Sequence, residues 1–158
     1  MENWVTEMKE LLQAKTVHFS EQERENIEYS YLSNLLQKLA KEVIISDEEL
    51  QSKVGFVIRE IPVKTDGKSP KYRTKHLNEI SNLQTYVDKK FGFIRKGKYK
   101  SRYMALGMSL GWVVFLPVGV ALGNIALGIG IGLPIGLAAG IIYGNYLDSK
   151  AEKEHKVL

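Results

Sequence analysis

The chain has 158 residues, 44% hydrophobic and 25% charged, with a formal net charge of +4, 14 glycines and no cysteine. That length accommodates one soluble domain of about 100 residues beside a smaller element. The lack of cysteine excludes disulfide frameworks, thiolate metal sites and cysteine nucleophiles.

The opening segment Met1–Glu7 has neither a basic n-region nor an apolar h-region, so no cleavable secretory signal is expected and the N-terminal part should stay in the cytosol. Trp4, Val5, Met8, Leu11 and Leu12 recur at one-face helical spacing, as do Ile27, Tyr31, Leu35, Leu39 and Val43. Ser20 and Glu23 form a capping box that opens the second helix. Ser46 and Glu49 repeat the box ahead of a third helix, with Ile45 and Leu50 as its hydrophobic staple. Leu50, Val54, Val57, Ile58 and Ile61 make the third buried stripe, which Pro62 ends.

Residues 63–75 read as a connector with a turn at Asp66-Gly67 and a breaker at Pro70. A fourth helix follows, with Leu77, Ile80, Leu83 and Val87 on one face and Gly92 as its C-terminal cap. No strand pattern competes with the helical one. Residues 1–60 carry 7 Lys and Arg against 12 Asp and Glu, a balance of −5, whereas residues 61–102 carry 12 against 3, a balance of +9. The cations nearest the apolar run are Lys89, Lys90, Arg95, Lys96, Lys98, Lys100 and Arg102.

From Tyr103 to Leu147 there are 45 residues without Asp, Glu, Lys, Arg or His, and ten of the 14 glycines fall there. About 20 apolar residues cross a bilayer core of about 30 Å, so the run is long enough for two crossings. The break is the turn dipeptide Gly123-Asn124, between Met104–Leu122 and Ile125–Tyr146. The basic flank ahead of the first crossing places that side in the cytoplasm by the positive-inside rule, and two crossings return the tail to the same side. Tyr103 and Tyr146 then stand at the cytoplasmic interface.

Gly128, Gly132, Gly136, Gly140 and Gly144 repeat every four residues, and Gly107/Gly111 and Gly119/Gly123 are shorter pieces of the same ladder with Phe115 between them. Residues four apart stack on one helix face, so each crossing has a face without side chains where another helix can approach closely. This stretch, about residues 104–146, resembles the glycine-zipper transmembrane hairpins of small bacterial membrane proteins and some channel or pore-forming proteins. The resemblance implies close helix packing through the glycine faces, either between the two crossings of one chain or between chains. Pro117 and Pro134 each remove a backbone hydrogen bond, which makes them either hinges or static bends.

No catalytic motif is found. Asp66-Gly67-Lys68-Ser69 ends like a phosphate-binding loop, but the position of its first glycine is Pro62 and no strand precedes it. Lys90-Phe91-Gly92-Phe93-Ile94 is similar to the aromatic core of an RNA-binding strand, yet it stands alone at a helix end. His18, His76 and His155 lie in separate segments without helix-spaced partners, so no metal site is expected. Glu21, Glu23, Glu25 and Glu28, and again Asp47, Glu48 and Glu49, suit the positive ends of helices.

The expected fold is all-α: a cytosolic amphipathic helical domain followed by a two-helix transmembrane hairpin. Its parts are an acidic helical domain at 1–62, the connector 63–75, a helix and basic juxtamembrane segment at 76–102, the hairpin 103–147 and a charged tail 148–158. The expected function is a non-enzymatic, cofactor-free, self-associating membrane-anchored adaptor or scaffold of the bacterial inner membrane, with both termini cytoplasmic. A pore-forming or membrane-perturbing effector of the holin or toxin type is the alternative. Expected partners are the bilayer, anionic lipid headgroups at the seven cations, other copies of the chain and a cytosolic protein; nucleic acid is disfavoured because lipid is the nearer polyanion.

Overall fold

The computed structural model describes residues 2–41, 47–64 and 74–158. These form α1 (Glu2–Thr16), α2 (Glu21–Asn26), α3 (Tyr29–Lys41), α4 (Glu48–Arg59), α5 (Thr74–Phe91), α6 (Lys98–Ala121) and α7 (Ile125–Lys153), with no strand among the described residues. The chain divides into two units, Met1–Phe93 with Leu158, and Ile94–Val157. The all-helical expectation holds, as do two long apolar helices at the C-terminal end.

In the first unit the apolar stripes of α1, α3, α4 and α5 meet in one core. Met8, Leu12, Leu32, Leu36, Val54, Ile58, Leu83 and Val87 are all at most 2% exposed. The helix starts and ends explain how the chain turns back into that core. Ser20 Oγ accepts from the Glu23 backbone N–H and Glu23 Oε2 accepts from the Ser20 backbone N–H, completing the capping box. Glu23 also pairs with Lys64 at 3.2 Å. Lys15 Nζ donates to the carbonyls of Arg59 and Ile61, so a cation from α1 closes the negative end of α4. Burial pushes that ammonium below its ordinary range, with Glu60 opposing.

Four expectations change. The single second helix is two, because Ile27 ends α2 and Glu28 adopts a left-handed φ of 55° before α3 begins. The break lets α2 fold back on α1, where Arg24 Nη2 donates to the Thr16 carbonyl at 3.3 Å. The cap of α4 is Asp47, whose Oδ1 accepts from the Leu50 backbone N–H at 3.1 Å. Val43, Ile45 and Ser46 of the expected stripe, staple and box lie outside the described residues, as do the Asp66-Gly67 turn, Lys68, Ser69 and Pro70. Third, Leu77 is 48% exposed and His76, at 4%, takes its place on the buried face of α5. Both positions fit helical spacing with Ile80, Leu83 and Val87, and hydrophobicity alone selects the wrong one. Finally, α5 belongs to the core of α1–α4, and its end is marked as expected by Gly92 at φ 72°.

The second unit is an antiparallel helical hairpin. Its helices are longer than the apolar run: α6 takes in Lys98, Lys100 and Arg102, and α7 continues through Asp148 to Lys153. The turn lies at Gly123-Asn124. Gly123 at φ 71° donates to the Val120 carbonyl and Asn124 N–H to the Gly119 carbonyl, the two bonds of a Schellman motif. Asn124 then caps α7 through its side chain, which accepts from the Leu127 N–H. A second motif of the same kind ends α7, with His155 left-handed at φ 55°. There Ile94 N–H donates to the Lys156 carbonyl at 2.8 Å and Ile94 bridges Val157, so the residues ahead of α6 are paired with those after α7.

Candidate functional site

The two faces without side chains meet each other inside the hairpin. Gly111, Gly119, Gly128, Gly132, Gly136, Gly140 and Gly144 are buried although almost everything around them is exposed. A Cβ on Gly136 would overlap the Gly107 carbonyl and lie 2.7 Å from Gly111 Cα. On Gly132 it would stand 2.5 Å from the Gly111 carbonyl oxygen and 2.8 Å from Phe115 Cβ; on Gly128, 2.5 Å from the Phe115 carbonyl oxygen. On Gly119 it would stand 2.9 Å from the Gly128 N–H nitrogen. Phe115 is tolerated on the first ladder because the residues opposite its Cβ are glycines. Gly123 differs from the other ladder residues: a Cβ there meets nothing within 4 Å, and its role is the left-handed turn.

At the end away from the turn, Gly140 faces Tyr103 and Gly144 faces Lys100, whose backbone nitrogen would be 2.9 Å from an added Cβ. One further step of four residues brings Asp148. Its Oδ1 accepts from the Tyr99 backbone N–H at 3.0 Å and its Oδ2 from that of Lys100 at 2.9 Å. The N-cap of α6 is Gly97, with no side-chain cap bond, so a carboxylate from α7 supplies the cap that α6 lacks. Sequence reading left Asp148 in the charged tail, although its place one step beyond Gly144 marked it. Tyr103 packs edge-on against Tyr143, with ring centroids 4.8 Å apart, while Tyr146 is 65% exposed.

The seven cations do not act alike. Lys90 Nζ lies 2.6 Å from Asp47 Oδ2 and donates to the Tyr86 hydroxyl at 2.8 Å, and that hydroxyl donates to Glu49 Oε2 at 3.0 Å. Hydrogen bonding to Asp47 and then Tyr86 raises the Lys90 ammonium, and the bond to Lys90 lowers Asp47. Lys90 therefore ties α5 to the start of α4. Lys98, Lys100 and Arg102 ride on the first turns of α6, Lys96 is exposed just before them, Arg95 is half-buried and Lys89 is exposed near the end of α5.

Both α6 and α7 run through Pro117 and Pro134 without interruption. The Ser109 hydroxyl donates to the Leu106 carbonyl at 2.9 Å, so this polar group within the apolar run is satisfied inside its own helix. No group of three His, Asp or Glu able to hold a metal occurs among the described residues. No family model, curated protein or solved structure matches this chain.

Proposed function

We propose that this protein is a membrane-anchored adaptor: α6 and α7 cross a membrane, the bacterial inner membrane, with both termini cytoplasmic, and α1–α5 presents a protein-binding surface in the cytosol. The observation that carries this reading is the closure of the two ladders on each other. Backbone meets backbone from Gly119 to Gly144, so one hairpin leaves no water path between its helices. Its outer faces are aliphatic, with Leu110 60%, Val114 61% and Ile142 72% exposed, and lipid is the solvent that suits them. At about 1.5 Å per residue, helices of 24 and 29 residues are long enough for a core of about 30 Å.

The charges favour one orientation. Lys98, Lys100 and Arg102 begin α6 and Lys150 and Lys153 end α7, so an antiparallel hairpin gathers them at one end, which the positive-inside rule assigns to the cytoplasm. Anionic headgroups then have Lys96, Lys98, Lys100 and Arg102 within reach, each worth about 1 kcal/mol near a charged surface. Because the ladder face is filled within the chain, copies of the hairpin associate through their outer faces. The filled face and the satisfied Ser109 weigh against the pore-forming alternative.

Reporter fusions at Met1 and Leu158 should both score cytoplasmic, and induced expression should leave the membrane potential intact. An external Leu158 removes the two-crossing anchor. Rapid depolarisation on induction replaces the adaptor with the pore-forming effector.

A further inference from the structure

We infer that α6 and α7 insert themselves into a lipid bilayer as one paired hairpin, tip first and without a protein translocase; this rests on the membrane-crossing reading and names the route by which the crossing is made. A segment enters hydrocarbon readily when nothing ionised and few unpaired polar groups go with it. Between Tyr103 and Leu147 no side chain carries a charge. Over residues 104–142 the hydrogen-bonding side chains besides the Trp112 indole are Ser109 and Asn124. Both have partners inside the hairpin, Ser109 donating to the Leu106 carbonyl and Asn124 Oδ1 accepting from the Leu127 N–H.

The tip must travel farthest, and its backbone is folded onto itself. The Val118, Gly119 and Val120 carbonyls, which the end of α6 would leave open, accept from the Leu122, Asn124 and Gly123 N–H groups. Leu122 and Ile125 flank the turn, 67% and 53% exposed, so the leading surface is aliphatic. Behind it the helices touch backbone to backbone from Gly119 to Gly144, so they enter as one body instead of one after the other. The hairpin's charged groups lie at the other end: α6 begins with Lys98, Lys100 and Arg102, α7 ends with Lys150 and Lys153, and Asp148 is held there by the Tyr99 and Lys100 amides. Entry from the side that holds these groups moves no formal charge through the core, whereas entry from the opposite side would drag all of them across. At ~1.5 Å per residue, residues 104–122 are about 28 Å long, so the tip reaches the far surface of a core of about 30 Å.

The chain has no cysteine, so a single introduced one reports its own position. Full-length Ile125→Cys should be synthesised by purified ribosomes and translation factors beside preformed phosphatidylcholine–phosphatidylglycerol liposomes that hold a membrane-impermeant maleimide inside. The cysteine should be labelled from within and the chain should resist alkaline extraction, while Ser149→Cys, exposed in the last turns of α7, should react only with maleimide added outside. Added to Ile125→Cys, Leu122→Lys should slow the internal labelling about a hundredfold, which is the cost of one cation at the bilayer centre. Leu127→Lys, at a position 49% exposed, should repeat this, and both should keep the parent's helical circular dichroism in detergent. Ser149→Lys adds the same charge at the trailing end and should leave the rate unchanged. A chain that is integral in cells but extractable from these liposomes overturns self-insertion and leaves the membrane reading, whereas a chain extractable from both removes that reading as well. Labelling of both tip variants at the rate of Ser149→Lys shows that the tip does not cross the core, and overturns the inference.

Discussion

One methyl group should separate the two kinds of glycine in α7. Gly136→Ala places a carbon against the Gly107 carbonyl and 2.7 Å from Gly111 Cα, both backbone atoms that cannot rotate away, so the helices must part along this stretch. In lipid the parted surfaces regain nothing from solvent transfer, and overpacking of this kind costs about 1–3 kcal/mol. Gly130→Ala makes the same chemical change in the same helix, where an added Cβ meets nothing within 4 Å. Its effect should be the helix-propensity gain of about 1 kcal/mol. Reversible unfolding of the reconstituted chain in mixed micelles, followed by Trp112 fluorescence, should therefore place the two variants on opposite sides of the parent. Equal stabilities would mean that α6 does not approach α7 at this rung, and the argument from backbone contact would fall with it.

Asp148→Asn keeps the shape of the cap on α6 and removes its charge, so the hairpin should lose about 1 kcal/mol and the Tyr99 and Lys100 amides should exchange faster; unchanged exchange would show that they do not depend on the carboxylate. Replacing Lys96, Lys100 and Arg102 with Gln should reduce the phosphatidylglycerol retained by the full chain in native mass spectrometry, whereas Lys90→Gln, engaged with Asp47, should leave it unchanged. Burial lowers the His76 imidazole below its ordinary 6.5, with Glu60 opposing and Lys15 adding to the shift. The unfolded chain then takes up the proton first, so stability should be full above pH 6.5 and fall as pH drops toward the lowered folded value. In His76→Gln that decline should flatten, and an unaltered pH profile would remove His76 as its source.

The parts of this fold that were legible in the sequence are those set by neighbours in the chain. Ser20 and Glu23 cap α2 because both atoms of the box lie within one turn, and Gly123-Asn124 turns the hairpin because glycine adopts a left-handed φ without strain. Where two residues satisfy the same local rule, the rule cannot choose between them. Leu77 and His76 both continue the α5 stripe, and packing buried the less hydrophobic one. Glu28 gave no sign of its left-handed turn, since that conformation in a non-glycine residue is imposed by what α2 and α3 must pack against. The pairing of Lys90 with Asp47 was not legible because the two are remote in sequence and near only in the folded unit.

The hairpin is the opposite case, where a local period fixes a long-range register. A four-residue step keeps residues nearly in line on a helix, so two such lines in antiparallel helices meet rung by rung once the turn sets their phase. The Gly123-Asn124 turn places Gly119 against Gly128, and the same phase brings Gly111 to Gly132 and Gly107 to Gly136. Followed past the last glycine, the line reaches Asp148, a carboxylate at the first position where water rather than lipid is expected, opposite the uncapped start of α6. Glycine serves where helix backbones touch, and a charge serves where the partner helix ends and its amides are exposed. The turn and the carboxylate thus close opposite ends of one register, and a shift of α7 by a single residue would move every glycine off its rung and Asp148 off the amides of Tyr99 and Lys100 together.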